Sequence, residues 1–487
     1  MTTSEQVTPA PAPRGLFVVL GLAVLVAVGL DLWLHAHGLV KMEAANTLDL
    51  ELHALARDGQ VVLVTHPTQY AEALHYWIFH LVLLATPRLE VAAVLLNVAH
   101  YGFAAVLFVG TRRRLGEVAA VVATTLYLTS AVAPILSKHV ISTAFVPLVM
   151  PLFAFAVLDL ARTGARDALG RAVLGLGALL ALNHGHVVWA VPLLAVMVRQ
   201  RAFRVPWWGV AGFLLLWSSG IARLVVHGGP AVTRLWGWFY RSPWNAVSRM
   251  VHVEPGAEDT VPVAWLLFGL VAVALGWWVA RRDEAPPGLG WLLLPGLPLV
   301  FAPPEANPSW QTPMLLLLGW TASRSLAFAW TTALYGLAEG LGLAAMMVTF
   351  AAPPNVNFFS MSSLGLRYTM HDTLVGELGM RADEQAHLRL EHTVSEGETP
   401  SILPGMSYLA ERVFPPLPEG GDRCLLVDDG LAELPAGATD VERVEDGLLV
   451  YRAWRGVPCE PNVLLKPEPV HVLDLRTWQV VLAPVVP

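Results

Sequence analysis

Long apolar runs alternate with short polar connections along this chain, and the first connection breaks the rhythm. Runs suited to bilayer-crossing helices fall at about 15–35, 88–110, 116–135, 140–161, 168–184, 186–199, 206–227, 262–280, 288–302, 311–323 and 326–350. A hydrocarbon core about 30 Å thick needs about 20 apolar residues in a helix, so 186–199, 288–302 and 311–323 are short for the task. Most connections are a few residues long. Residues 36–87 instead form a long, largely polar stretch holding Lys41-Met42-Glu43, Asp49, Glu51 and then Thr65-His66-Pro67-Thr68-Gln69-Tyr70. Within it, 71–86 is apolar but short and carries Glu72, His75 and His80. That pattern predicts a helix lying in the membrane interface, begun by Pro67 and stopped before Pro87.

Charge then orients the pattern. Arg112-Arg113-Arg114, Arg162/Arg166/Arg171, Arg199/Arg201/Arg204, Arg281-Arg282 and Arg324 fall in alternate connections. Basic residues favour the cytoplasmic side, which places the N-terminus inside and 36–87 outside. Eleven spans then leave the C-terminal tail outside as well. The outer connection 228–261 carries Arg234, Arg241 and Arg249 against this trend, and its Trp236, Trp238 and Trp244 suit a segment lying on the membrane surface.

Beyond about residue 351 the composition changes. Acidic stretches with Glu396, Glu398, Glu419 and Asp428-Asp429 accompany short β-type runs, Cys424–Val427 and Leu448–Tyr451, separated by Pro and Gly. The fold class expected is an α-helical polytopic membrane protein of about eleven transmembrane helices, with a small C-terminal extracytoplasmic α+β domain. Its units are a disordered tail over 1–14, a transmembrane domain over 15–350 with 36–87 as first outer loop, and a soluble domain over 351–487. The first apolar run lacks a small-residue cleavage site after it, which favours an uncleaved helix over a signal peptide. Overall the chain is 55% hydrophobic and 14% charged, against about 25% charged in soluble proteins, so most of its length belongs in a bilayer. A net charge of −7 without a basic stripe argues against nucleic acid as a partner. Cys424 and Cys459, the two cysteines, either pair outside the cell or remain thiols.

Candidate chemistry gathers on the outer side. Glu43 is either a solvated loop carboxylate or a general base; Asp49 is a second carboxylate of the same stretch, set in the alternating Leu48–Leu52. His66 precedes Pro67, which pushes it out of the α region and sets it at a corner, with Tyr70 one turn on. Lys138-His139 lies between two spans with apolar residues on both sides, suited to the phosphate of a lipid carrier or to snorkelling toward headgroups. In Asn183-His184-Gly185-His186 two histidines at i and i+2 lack a third metal ligand. Arg241 and its neighbours Arg234 and Arg249 can grip phosphate bidentately or meet headgroups. No nucleotide-binding loop, dinucleotide fingerprint or serine-hydrolase elbow is present, so ATP-driven transport has no support.

The order of these elements resembles the GT-C membrane glycosyltransferases, in the bacterial branch related to protein O-mannosyltransferases and lipid A aminoarabinose transferases. That resemblance rests on Met42-Glu43 in the first outer loop, on His66-Pro67-Thr68-Gln69-Tyr70, and on Gly110-Thr111-Arg112-Arg113-Arg114-Leu115-Gly116. Lys138 sits where the family often carries a basic residue, and His184 at a turn where it can carry a histidine. It covers about residues 15–200. It implies transfer of a sugar from a polyprenyl-phosphate donor to a lipid or glycan acceptor of the envelope, at the outer face of a bacterial inner membrane. Glu43 takes the catalytic or acceptor-orienting position in this scheme, Lys138 faces the donor phosphate, and His66 shapes the pocket. No organic cofactor is implied, and a divalent metal is left open. Two positions depart from the pattern: Met42 stands where an Asp is usual, and Thr68 replaces a second Pro. Either Glu43 or Asp49 then serves as base, or the chain is a catalytically inactive scaffold or glycan-binding relative. A secondary transporter is a third reading, disfavoured because Asp31, Asp159 and Glu339 lie near helix ends or alone.

Overall fold

The computed structural model describes residues 11–36, 60–64, 77–78, 81, 89–130, 145–227, 260–282, 284–295, 309–349, 384–389, 423–428, 440–446, 449–458 and 470–483. In chain order the elements begin with α1 (Arg14–Ala36), β1 (Gln60–Val64), α2 (Leu89–Leu115), α3 (Glu117–Thr129), α4 (Val146–Thr163) and α5 (Arg166–Leu182). A 3-10 turn, His184–Trp189, leads into α6 (Ala190–Gln200), followed by α7 (Trp207–Leu216), α8 (Ser218–His227) and α9 (Thr260–Ala280). A short 3-10 turn, Trp291–Leu293, precedes α10 (Gln311–Ser323) and α11 (Leu326–Thr349). The strands β2 (Glu384–Arg389), β3 (Arg423–Asp428), β4 (Asp440–Asp446), β5 (Leu449–Pro458), β6 (Val470–Asp474) and β7 (Gln479–Ala483) follow.

The bundle is built around α3. Its sequence, EVAAVVATTLYLT, is rich in Ala, Val and Thr, and Ala119 through Thr125 are buried without interruption. Small side chains let α1, α2, α10 and α11 all pack on it. Between helices in lipid, close packing replaces the hydrophobic drive that operates in water. Gly319 of α10 brings the two backbones into direct contact: a Cβ there would lie 2.7 Å from the carbonyl oxygen of Ala119. On the other side of the bundle α4 packs on α5 and α5 on α7.

Length and apolarity alone qualify two of the described helices as membrane-crossing, Arg14–Trp33 and Val146–Thr163, with the bent pair α7–α8 as a third. Helix α3, at 13 residues, is too short on that criterion, yet its neighbours enclose it, so it has little lipid to match. Two expected spans take other forms. Residues 206–227 are broken at Trp217 by 57°, where Ser218-Ser219-Gly220 interrupts a helix that Trp-Trp-Gly-Val had begun. Residues 288–302 are not a spanning helix in their described part. Pro286-Pro287-Gly288 stops helix formation, Gly288 has φ +94°, and turns carry the chain to Pro295. Leu289, Leu292 and Leu293 are fully buried and plug the space beside α6 and α9. A short apolar run reads alike as span or as core, which is why periodicity misjudged it.

The arginine-bearing helix ends lie together, as the alternation required. Arg114 at the end of α2 grips Asp159 of α4 with two hydrogen bonds, 2.7 and 2.6 Å. Arg112 pairs with Glu117 at 3.0 Å, and Glu117 also accepts the backbone N–H of Ala12 at the start of α1. Arg324, between α10 and α11, meets Glu284 beyond α9. Arg281 and Arg282 lie 4.3 Å over the rings of Trp277 and Trp278, an arrangement suited to an interfacial belt.

Strands appear where β-type runs were read, with Cys424–Val427 inside β3 and Leu449–Tyr451 opening β5. They form a four-stranded sheet in the order β2-β3-β5-β4, with β2 parallel to β3. The sequence reading did not anticipate the second sheet. In it β1, from the long first connection, pairs antiparallel with β6, Val61 opposite Leu473, and β7 completes the order β1-β6-β7. Strand β1 also packs against α8.

Candidate functional site

At the end of the bundle opposite the arginines, a buried polar set joins α1, α2 and α3. On α2, Asn97, His100, Tyr101 and Ala104 recur at helical spacing and so share a face. The Tyr101 hydroxyl donates to Asp31 of α1, a carboxylate only 8% exposed. His100 Nδ1 lies 2.7 Å from the Tyr127 hydroxyl of α3, their rings stacked at an interplanar angle of 11°. The Ser130 hydroxyl, just past α3, donates to the Tyr127 carbonyl at 2.9 Å and accepts from Gln311 Nε2 of α10 at 2.7 Å. Four helices are thus fixed to one another by polar bonds shielded from water, where each bond is strong and an unmade one is costly. These are the helices from whose ends the stretches 37–88 and 131–144 begin.

A second cluster forms at the turn between α5 and α6. Asn183 Oδ1 accepts the N–H of Gly185 at 2.8 Å, and the backbone N–H of His186 donates to the Asn183 carbonyl at 3.0 Å. This cap directs His186 inward, where it is fully buried with neither ring nitrogen partnered among the described residues. Trp189, also fully buried, meets Phe153 edge-on at 6.3 Å and Trp310 at 6.0 Å. Those contacts tie the turn to α4 and to the start of α10.

Of the residues named from the sequence, His184 opens the 3-10 turn. Glu43, Asp49, His66, Tyr70, Lys138, His139 and Arg241 lie outside the described residues, as do residues 1–10 of the tail. Of the interfacial stretch 71–86, Trp77, Ile78 and Leu81 are described and helical. The described ends bracket the named residues closely. Glu43 follows the end of α1, and His66 stands two residues after β1, which the sheet with β6 anchors. Lys138 falls between Ser130 and Phe145, and Arg241 between α8 and α9. Of those bracketing ends, Ser130 bonds Gln311 at the start of α10, and β1 packs against α8. Among the described residues no group of three or more His, Cys, Asp or Glu is arranged to hold a metal.

Sequence reasoning overlooked the pairing of Asp31, treating it as an isolated charge near a helix end. The signal available was the polar stripe Asn97-His100-Tyr101 on an otherwise apolar α2, because a buried polar face implies a polar partner.

The fold is similar to that of a solved structure, ArnT from Cupriavidus metallidurans bound to undecaprenyl phosphate, with a TM-score of 0.51 over 92% of this chain and 99% of that one. Identity is 13%, so the likeness is one of fold. No family model matches the chain, and no curated protein matches it at a significant level.

Proposed function

We propose that the chain is a glycosyltransferase that moves a sugar from a polyprenyl-phosphate donor to an envelope acceptor, at the outer face of a bacterial inner membrane. The observation that carries this reading is the fold shared along almost the whole chain with ArnT, a protein solved bound to undecaprenyl phosphate. The polar, charge-bearing character of the sequence connections that hold Glu43, His66, Lys138 and Arg241 supports it. So does the β1–β6 pairing, which keeps the first outer stretch and the tail on one side, consistent with an extracytoplasmic domain over 351–487.

In this scheme an acceptor hydroxyl or amine attacks the anomeric carbon, and the bond from that carbon to the phosphate oxygen breaks. The electron pair leaves with polyprenyl phosphate. Glu43, or Asp49 in its place, takes the acceptor's proton as general base. Lys138 and Arg241 stabilise the phosphate dianion as it departs, with His139 beside Lys138. His66, Tyr70 and His184 shape the donor and acceptor pocket.

The catalytic carboxylate is tested with Glu43→Gln and Asp49→Asn in a transfer assay using radiolabelled undecaprenyl-phosphate sugars and envelope lipid as acceptor. Loss of a general base costs about 10²–10⁴-fold. The reading expects that loss in one variant, with near wild-type turnover in the other. Equal turnover in wild type and both variants removes the assignment of either carboxylate. A wild type that binds carrier without turnover favours the inactive relative, for which Met42 in the usual Asp position already speaks.

A further inference from the structure

At the arginine-rich end, helices α2, α4, α5 and α7 stand side by side and form one wall of the bundle. A groove of about 900 Å³ runs up this wall, within the size range of lipid-like ligand sites. Helices α2 and α7 supply its rims, with Val109 and Leu215 exposed to the surroundings of the bundle, and α4 and α5 supply its floor. Small residues open it, among them Ala105, Gly175 and Ala178. From Arg171 to Ala178 the floor climbs roughly 10 Å at about 1.5 Å per residue, most of the depth of one leaflet's hydrocarbon.

The inner mouth of the groove is lined by Arg113, Arg114 and Arg171, and no acidic side chain lines it. Their counter-charges are nearby and incomplete. Asp159 takes both bonds of Arg114 and lies 3.5 Å from Arg171, and Asp167 lies 3.2 Å from Arg171. Arg113 is exposed with no ion pair among the described residues, so the mouth keeps a net positive charge. The Arg114 guanidinium is further held 4.7 Å over the Phe155 ring, which fixes it at the groove. An apolar channel most of a leaflet deep, opening sideways and ending in guanidinium groups, is complementary to an acyl chain joined to a phosphate.

We propose that this groove binds one anionic phospholipid of the inner leaflet, with an acyl chain along α4 and α5 and the phosphate at Arg113, Arg114 and Arg171. The site is distinct from the outer end and does not rest on the transferase reading.

The test is native mass spectrometry of the full chain in neutral detergent, titrated with dioleoyl phosphatidylglycerol, dioleoyl phosphatidylcholine or undecaprenyl phosphate. A single saturable phosphatidylglycerol adduct is expected, retained more strongly than phosphatidylcholine. Arg113→Gln should weaken it about fivefold and leave phosphatidylcholine unchanged. Ala178→Phe fills the groove from its floor and should abolish the adduct; Ala105→Phe on the rim serves if Ala178→Phe does not fold. Equal retention of the two phospholipids, or wild-type binding by the filled variant, overturns the proposal. Displacement of phosphatidylglycerol by equimolar undecaprenyl phosphate also overturns it, by giving the groove to the carrier.

Discussion

Single side chains hold the arginine-poor end of this bundle together, and two of them make testable demands. Trp189 is fully buried between Phe153 and Trp310, joining the α5–α6 turn to α4 and α10. Removing a buried indole loses its burial and leaves a cavity, so Trp189→Ala should cost about 3–5 kcal/mol, read as a lowered midpoint of denaturant unfolding in detergent. Tyr101→Phe removes a donor to the buried Asp31 carboxylate and should cost about 1–3 kcal/mol in the same assay. An unchanged midpoint would mean that Asp31 is satisfied without Tyr101. At this scale the sequence was legible where a motif announced itself and opaque where partners were far apart. Asp31 and Tyr101 are 70 residues apart, and no local pattern pairs them.

Helices were legible from their periodicity, and their mutual closeness was not. The expected runs 15–35, 88–110, 262–280, 311–323 and 326–350 each coincide with a described helix within a few residues. The run 206–227 hides a 57° bend because hydropathy averages across a break, and Ser218-Ser219-Gly220 does not lower apolarity enough to show one. The described part of the run 288–302, as far as Pro295, misled because largely buried turns are as apolar as a span. Glycines set the distances between helices. Gly319→Val would push a side chain against the Ala119 backbone of α3, which cannot swing aside as a side-chain tip can. The expected result is destabilisation of about 1–3 kcal/mol by overpacking; Gly342→Val on α11, where nothing lies within 4 Å of the added Cβ, should be near neutral.

For the whole molecule, the positive-inside reading makes a testable demand. Arginine-bearing helix ends carry ion pairs at one end of the bundle, and β1 of the long first connection shares a sheet with β6 and β7. A strand pair cannot cross a bilayer, so β1 and β6 must lie on one side. In a background lacking Cys424 and Cys459, a membrane-impermeant thiol reagent should label Arg476→Cys in intact spheroplasts and leave Arg201→Cys unlabelled until lysis. The sheet itself was invisible in the sequence, because Gln60–Val64 and Val470–Asp474 are each five residues long and carry no signal of a partner so distant.

The central claim is transfer from a lipid-linked sugar, and turnover by the wild-type protein tests it most directly. Purified full-length chain is given a panel of radiolabelled undecaprenyl-phosphate sugars and total envelope lipid, and both products are followed. Release of undecaprenyl phosphate together with label in an envelope acceptor is the predicted result. Saturable donor binding with no release from any sugar in the panel would contradict it, and would leave an ArnT-like fold that recognises carriers without acting on them.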